Sequence, residues 1–181
     1  FAVARNTTAS SMVMAVTSMS MVALHIQLGR GTTEFHFGVF FVLALLLSYR
    51  DWRVVLVGAG TIALHHLLFD RLQAAGVGVY CTPQADLMKV LIHAGYVIAQ
   101  AGLEVVIAVQ MARTAHQHSE LRALVEHVGR HGSIALDVSA IAVTTPAAIA
   151  LREVLRRIEQ AVNALQSTGA NIAHASAEIA T

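Results

Sequence analysis

Four apolar runs, 12–28, 35–49, 54–69 and 87–112, decide what this chain can fold into. The first three carry no charged residue; the fourth carries Lys89 near its start and Glu104 inside. The first three approach the length of about 20 residues that spans a bilayer, and the fourth exceeds it. Polar neighbours such as Thr32, Thr33 and Trp52 extend them. A single core in a chain of 181 residues cannot hide four such helices from water. Only 13% of the residues are charged, against roughly 25% in soluble domains. That is too little charge to solvate the outer faces of two long soluble hairpins. With 56% hydrophobic residues and a mean hydropathy of +0.62, the chain is not disordered, and its solvent is lipid.

The connections shape the bundle. Gly29-Arg30-Gly31 predicts a tight turn, and Arg50-Asp51-Trp52-Arg53 a short polar one with Trp52 at the interface. Residues 70–86 form a longer loop with Gly76, Gly78 and Pro83. The fold class expected is all-α: a four-helix up-down transmembrane bundle with both termini on one side. Arg5, Arg50, Arg53 and Arg113 flank one face, and Arg30, Arg71 and Lys89 the other. This small bias favours cytoplasmic termini. A net charge of +1 gives no basic face for nucleic acid. The single Cys81 cannot form an internal disulfide and reads as a small loop residue.

Beyond Arg113 the character changes. Residues 116–131 are polar and helical in pattern, with Gly129, Gly132 and Ser133 as breakers. An apolar, β-branched connector, 134–145, ends at Pro146, which suits the start of a helix. From Leu151 a heptad runs through Leu155, Ile158, Val162, Leu165, Gly169, Ile172, Ser176 and Ile179. Steps of four and three alternate without a slip, which predicts a parallel dimeric coiled coil. Three regions follow: a transmembrane module over 1–113, a cytoplasmic linker over 114–147 and the coiled coil over 148–181. Phe1 at the start and a heptad still running at the end are expected of a segment of a longer protein.

The histidines carry the site signal. His25, His36, His65, His66 and His93 fall at helix ends that an up-down bundle brings to one side. At about 1.5 Å per residue, all five lie within roughly 10 Å of that membrane surface. The opposite helix ends carry none. Ionisable residues in spans are expensive, so such a layer is a candidate site. Glu34 lies in the same layer, and Arg30 lies at the level of a haem propionate. On the fourth helix His93, Gln100 and Glu104 share one stripe, with Tyr96 beside it. Met21 and His25, one turn apart, form a pair that suits copper(I).

Such a layer has three uses. Imidazoles on opposite helices can hold a b-type haem. Gly58, Gly60 and Ala63 on one helix, and Gly95, Ala99 and Gly102 on another, leave room for the macrocycle. Alternatively, His25, Glu34, His36, His65, His66 and His93 supply ligands for a bare copper or zinc ion. The third use is a proton sensor without a cofactor. Haem is the leading expectation. The chain shows no phosphate loop, nucleophile elbow or zinc-protease helix motif, so an enzyme is not expected.

Two stretches resemble known families. Asn171-Ile172-Ala173-His174-Ala175-Ser176-Ala177-Glu178-Ile179-Ala180 resembles the segment entering the signalling helix of bacterial methyl-accepting chemotaxis proteins. That resemblance implies an inner-membrane receptor, a homodimer, a cytoplasmic C-terminus, and a signalling hairpin that engages a chemotaxis histidine kinase and its coupling adaptor. Thr33-Glu34-Phe35-His36-Phe37, Tyr49-Arg50-Asp51-Trp52-Arg53 and His65-His66-Leu67-Leu68-Phe69 are similar to a four-helix membrane input module found before such outputs. This implies a membrane sensor without naming its ligand. Residues 116–146 occupy the place of a HAMP-type converter but lack an acidic start to its second helix. The runner-up function is a membrane b-type cytochrome for electron transfer.

Overall fold

The computed structural model describes residues 7–129 and 136–179. Arg5, Gly132, Ser133 and the first residues of the expected connector lie outside them. The described residues form five α-helices and one 3-10 turn, with no strand among them. The helices are α1 (Thr8–Leu28), α2 (Thr33–Leu46), α3 (Trp52–Ala74), α4 (Leu87–Val128) and α5 (Pro146–Ile179); the 3-10 turn is Leu47–Tyr49. Three helices, α1, α3 and α4, are long and apolar enough to cross a membrane. Thr33–Tyr49 is apolar but shorter. The chain divides into two compact units, Phe1–Ala112 and Arg113–Thr181.

Local chemistry sets the helix starts. The Thr7 hydroxyl accepts from Ser10 N at 3.2 Å, and Asp51 Oδ1 accepts from Arg53 N at 2.9 Å. Asp86 caps α4 in the same way, accepting from Lys89 N at 3.1 Å. Each cap satisfies an amide that the first helical turn leaves unpaired. The α1–α2 turn closes through Gly31, whose N–H donates to Ile26 O at 2.9 Å at φ +77°. Arg30 and Arg50 also take left-handed backbone, at φ 50° and 54°.

In the first unit, Ala15, Met19, Val22 and Ile26 form the buried stripe of α1. It packs with Val39, Leu43 and Leu46 of α2 and with Val54, Val55 and Ile62 of α3. Gly58 is the close approach here: a Cβ would stand 2.5 Å from Leu46 Cδ1. Val97 and Ala101 bring α4 to the same core. Large apolar side chains elsewhere point outward, among them Phe37, Phe41, Leu64, Ile98 and Leu103. Helices apolar inside and out suit a lipid surround.

The second unit has its own small core: Leu124, Val138 and Ala148, flanked by Leu121, Val128, Leu151 and Leu155. Thr144 and Thr145, just before α5, lie beside Glu120. The Glu120 carboxylate accepts from the amides and hydroxyls of both Thr144 and Thr145, at 2.6–2.9 Å. His116 Nε2 stands 3.2 Å from Glu120 Oε1. The end of α4 and the start of α5 therefore run in the same direction. An acid on α4 thus holds the two residues that lead into α5. Leu151 and Leu155, the first two heptad positions, are used inside this unit. From Gln160 to Ile179 every described residue is exposed.

Candidate metal centre

One end of the first unit gathers four imidazoles. His36 comes from the first turn of α2, His65 and His66 from α3, and His93 from α4. Ring centroids are 5.2 Å apart for His36–His66, 5.5 Å for His36–His93 and 5.4 Å for His66–His93. His65 lies 5.4 Å from His66 and packs on Phe69 at 4.1 Å. His36, His65 and His66 are buried.

The nitrogens are uneven in their partners. His66 Nδ1–H donates to Ile62 O at 2.9 Å, one turn back on its own helix. A carbonyl can only accept, so this bond sets the tautomer and leaves the Nε2 lone pair free. The Nε2 atoms of His65, His66 and His93 are buried without a hydrogen-bond partner. His36 has a carbonyl at each nitrogen: Thr32 O at 3.0 Å from Nδ1 and Cys81 O at 3.0 Å from Nε2. A neutral ring donates only one of these bonds. Orphaned imidazole nitrogens in one buried place are costly, and a shared cation satisfies them together.

The loop that follows α3 adds a thiol. Cys81 is fully buried. One ligand atom each of His36, His66 and Cys81 lie within 4.8 Å of one another. Two glutamines hold the loop in place. Gln27 accepts from Tyr80 N at 2.7 Å and donates to Gly78 O at 3.5 Å. Gln73 accepts from Cys81 N at 3.1 Å and donates to Thr82 O at 2.8 Å. Buried Asp70 accepts from Asp86 N at 2.8 Å and pairs with Arg71. Burial first, and the Asp70 carboxylate second, push the Cys81 thiol up to about 12. The free thiol is therefore protonated at neutral pH.

The expected layer is thus brought together in part. His36, His65, His66 and His93 meet; His25, Glu34 and Arg30 are exposed and stand outside the buried group. Exposed Met21 accompanies His25, while Met19 belongs to the core. Gln100 donates to Glu104 Oε1 at 2.7 Å and to Phe40 O at 3.3 Å, so this part of the α4 stripe ties α4 to α2. Cys81, Gln27, Gln73 and Asp70 were absent from the sequence-based set. A lone Cys in a loop has no periodic neighbour, and its pairing with α1 and α3 spans up to 53 residues. Between α3 and α4 lies an apolar groove of about 580 Å³, lined by Gly60, Ala63, Ala94 and Gly102, with His66 and His93 in its wall. The chain matches no protein-family model, no curated protein and no solved structure.

Proposed function

We propose that the chain is the membrane sensory region of a bacterial chemoreceptor and that its imidazole layer binds a transition-metal ion, copper or zinc. The spacing of three rings carries this reading. Two imidazoles on a tetrahedral ion, with metal–nitrogen bonds of about 2.0–2.1 Å, have ring centroids about 5.2 Å apart. Opposite axial ligands of a haem stand wider, with centroids about 6.4 Å apart by the same bond length. The spacings of 5.2–5.5 Å among His36, His66 and His93 match the first distance, and His36 and His66 also bring ligand atoms within 4.8 Å of each other. The Nδ1 bond of His66 to a backbone carbonyl is the orientation that metal-binding histidines favour. Binding draws Nε2 of His36 away from the Cys81 carbonyl. It also contracts the ligand nitrogens of His36 and His66, now within 4.8 Å of each other, toward the roughly 3.3 Å separation of tetrahedral nitrogen ligands.

Signalling follows from the helix that carries His93. We read α1 to α4 as a four-helix bundle. At about 1.5 Å per α-helical residue and 2 Å per 3-10 residue, Thr33–Tyr49 reaches about 27 Å, close to the hydrocarbon core. The histidine end then faces the periplasm and the C-terminus the cytoplasm of an inner-membrane protein. Helix α4 is unbroken from Leu87 to Val128. The His93 ring packs 5.4–5.5 Å from those of His66 and His36, so a contraction there biases the position of α4 between two states, which is the element a coupling mechanism needs. The exposed seam Ile158, Val162, Leu165, Ile172 and Ile179 pairs with a second copy as a parallel coiled coil, in the register a kinase-controlling hairpin requires. A chemotaxis histidine kinase and its coupling adaptor are the partners this reading implies.

Haem is the second reading, favoured by the α3–α4 groove with its small-residue walls and His66 and His93. The deciding experiment is metal analysis and absorption spectroscopy on one detergent-purified sample, oxidised and reduced. Near-stoichiometric copper or zinc without a Soret band, lost in His66→Ala, is expected. A Soret band that shifts on reduction replaces the ion with haem. Neither in a folded sample refutes both.

A further inference from the structure

We infer that Cys81 is a ligand of this ion as a thiolate, and that residues 75–86 are the strap that delivers it. The inference rests on the imidazole reading above and narrows it. The centre becomes a mixed nitrogen–sulfur site, suited to a borderline or soft cation, zinc or copper(I), and not to magnesium or calcium.

Three observations carry it. First, Cys81 is the one fully buried residue of the strap, and its sulfur shares the 4.8 Å neighbourhood of His36 and His66. Second, His66 is more than nine-tenths buried and its Nε2 has no partner, so a member of the group that includes the sulfur has a buried lone pair left unsatisfied. Third, the strap is built to hold its position. Gln27 and Gln73 each bind a backbone N–H and a backbone carbonyl, as a neighbouring strand would. Asp70 fixes its far end at Asp86. Gly31 lies so close to Thr82 that any Cβ there would strike the Thr82 backbone. Four fixed points around one buried thiol exceed what a passive connection needs. Supporting groups of this kind orient metal ligands.

The step balances simply. The Cys81 S–H bond breaks, a sulfur–metal bond forms, and the proton leaves to solvent. The imidazoles bind through lone pairs. No electron moves.

Cobalt(II) is the probe, titrated into the purified full chain in detergent. The expected spectrum has intense visible bands of a tetrahedral site and a near-ultraviolet sulfur-to-cobalt charge-transfer band, both saturating at one equivalent. Cys81→Ser should lose the charge-transfer band, keep the visible bands, bind at least 10-fold more weakly and release one proton fewer per ion. Zinc and copper(I) should displace cobalt, and magnesium should not. Cys81→Ala, with helical content checked by circular dichroism, controls for misfolding. Tetrahedral cobalt without the charge-transfer band, or with a band that survives in Cys81→Ser, overturns the thiolate and leaves the imidazole site standing. No cobalt, zinc or copper binding by the folded wild type overturns both.

Discussion

Replacing Gly31 by Ala tests how the turn, the strap and the metal centre depend on one another. Gly31 sits at φ +77°, where an L side chain costs roughly 1–2 kcal/mol. A Cβ there would also lie under 3.0 Å from the carbonyl carbon, Cα and oxygen of Thr82. That obstacle is backbone, so no rotamer change relieves it. Ordinary contact requires the strap to retreat by about 1 Å. The retreat strains the bonds from Gln73 to Cys81 N and Thr82 O, each contributing about 1 kcal/mol. With both bonds lost, the sum is about 3–4 kcal/mol. Metal sites hold their distances within about 0.2 Å, so a 1 Å shift near Cys81 should weaken ion binding about 10- to 100-fold, as loss of supporting bonds does. Gly76 is the matched control: it has φ +83° and nothing within 4 Å of a Cβ. Gly76→Ala should cost only the backbone strain, about 1–2 kcal/mol, and leave the ion affinity alone. Thermal unfolding by circular dichroism and cobalt titration in the same detergent read both quantities. Equal losses in the two variants, or unchanged cobalt affinity in Gly31→Ala, would show that the strap does not position the centre.

Three further outcomes follow from the same structure. His25→Ala should leave metal content unchanged while His66→Ala abolishes it, because His25 is exposed and does not belong to the His36–His66–Cys81 group; equal losses in metal analysis would refute the placement. Bonds from Thr144 and Thr145 hold Glu120 down to about 2, below its ordinary 4.5. A carboxylate so depressed stabilises above its unfolded value and stops doing so as pH falls through its folded one. The Arg113–Thr181 unit should therefore weaken between pH 4.5 and 2 in wild type, and less so in Glu120→Gln; Glu153, also held at about 2 by exposed Arg156 and Arg157, is separated by its salt dependence. Finally, Leu165→Asp and Ile172→Asp, at positions exposed to 73% and 62%, should convert a dimer to a monomer in sedimentation while helicity near the metal centre persists. A wild type that sediments as a monomer removes the coiled coil.

Periodicity and depth were readable in one dimension. Uncharged runs separated by Gly-rich or Arg-Asp-Trp-Arg breaks specify helices whatever they pack against, since a lipid-facing backbone must satisfy itself. Residue offset along a helix also sets height, so His36, His65, His66 and His93 could be assigned to one layer before their neighbours were known. Azimuth was not readable in the same way. When a helix is apolar on every side, no stripe marks its inner face. His25 was therefore grouped with the buried histidines although it is exposed, and Met21 with it.

What the sequence by itself determined is the set of helices and their hydrophobic character. What only the tertiary structure decided is which side chains meet: Cys81 with His36 and His66, Gln27 and Gln73 with the strap, and Glu120 with the start of α5. The first set follows from local backbone bonding and from side-chain hydropathy, both additive along a chain. The second depends on hydrogen bonds between distant residues. These form only after packing has removed water and fixed each helix's rotation, and no spacing in the sequence encodes that.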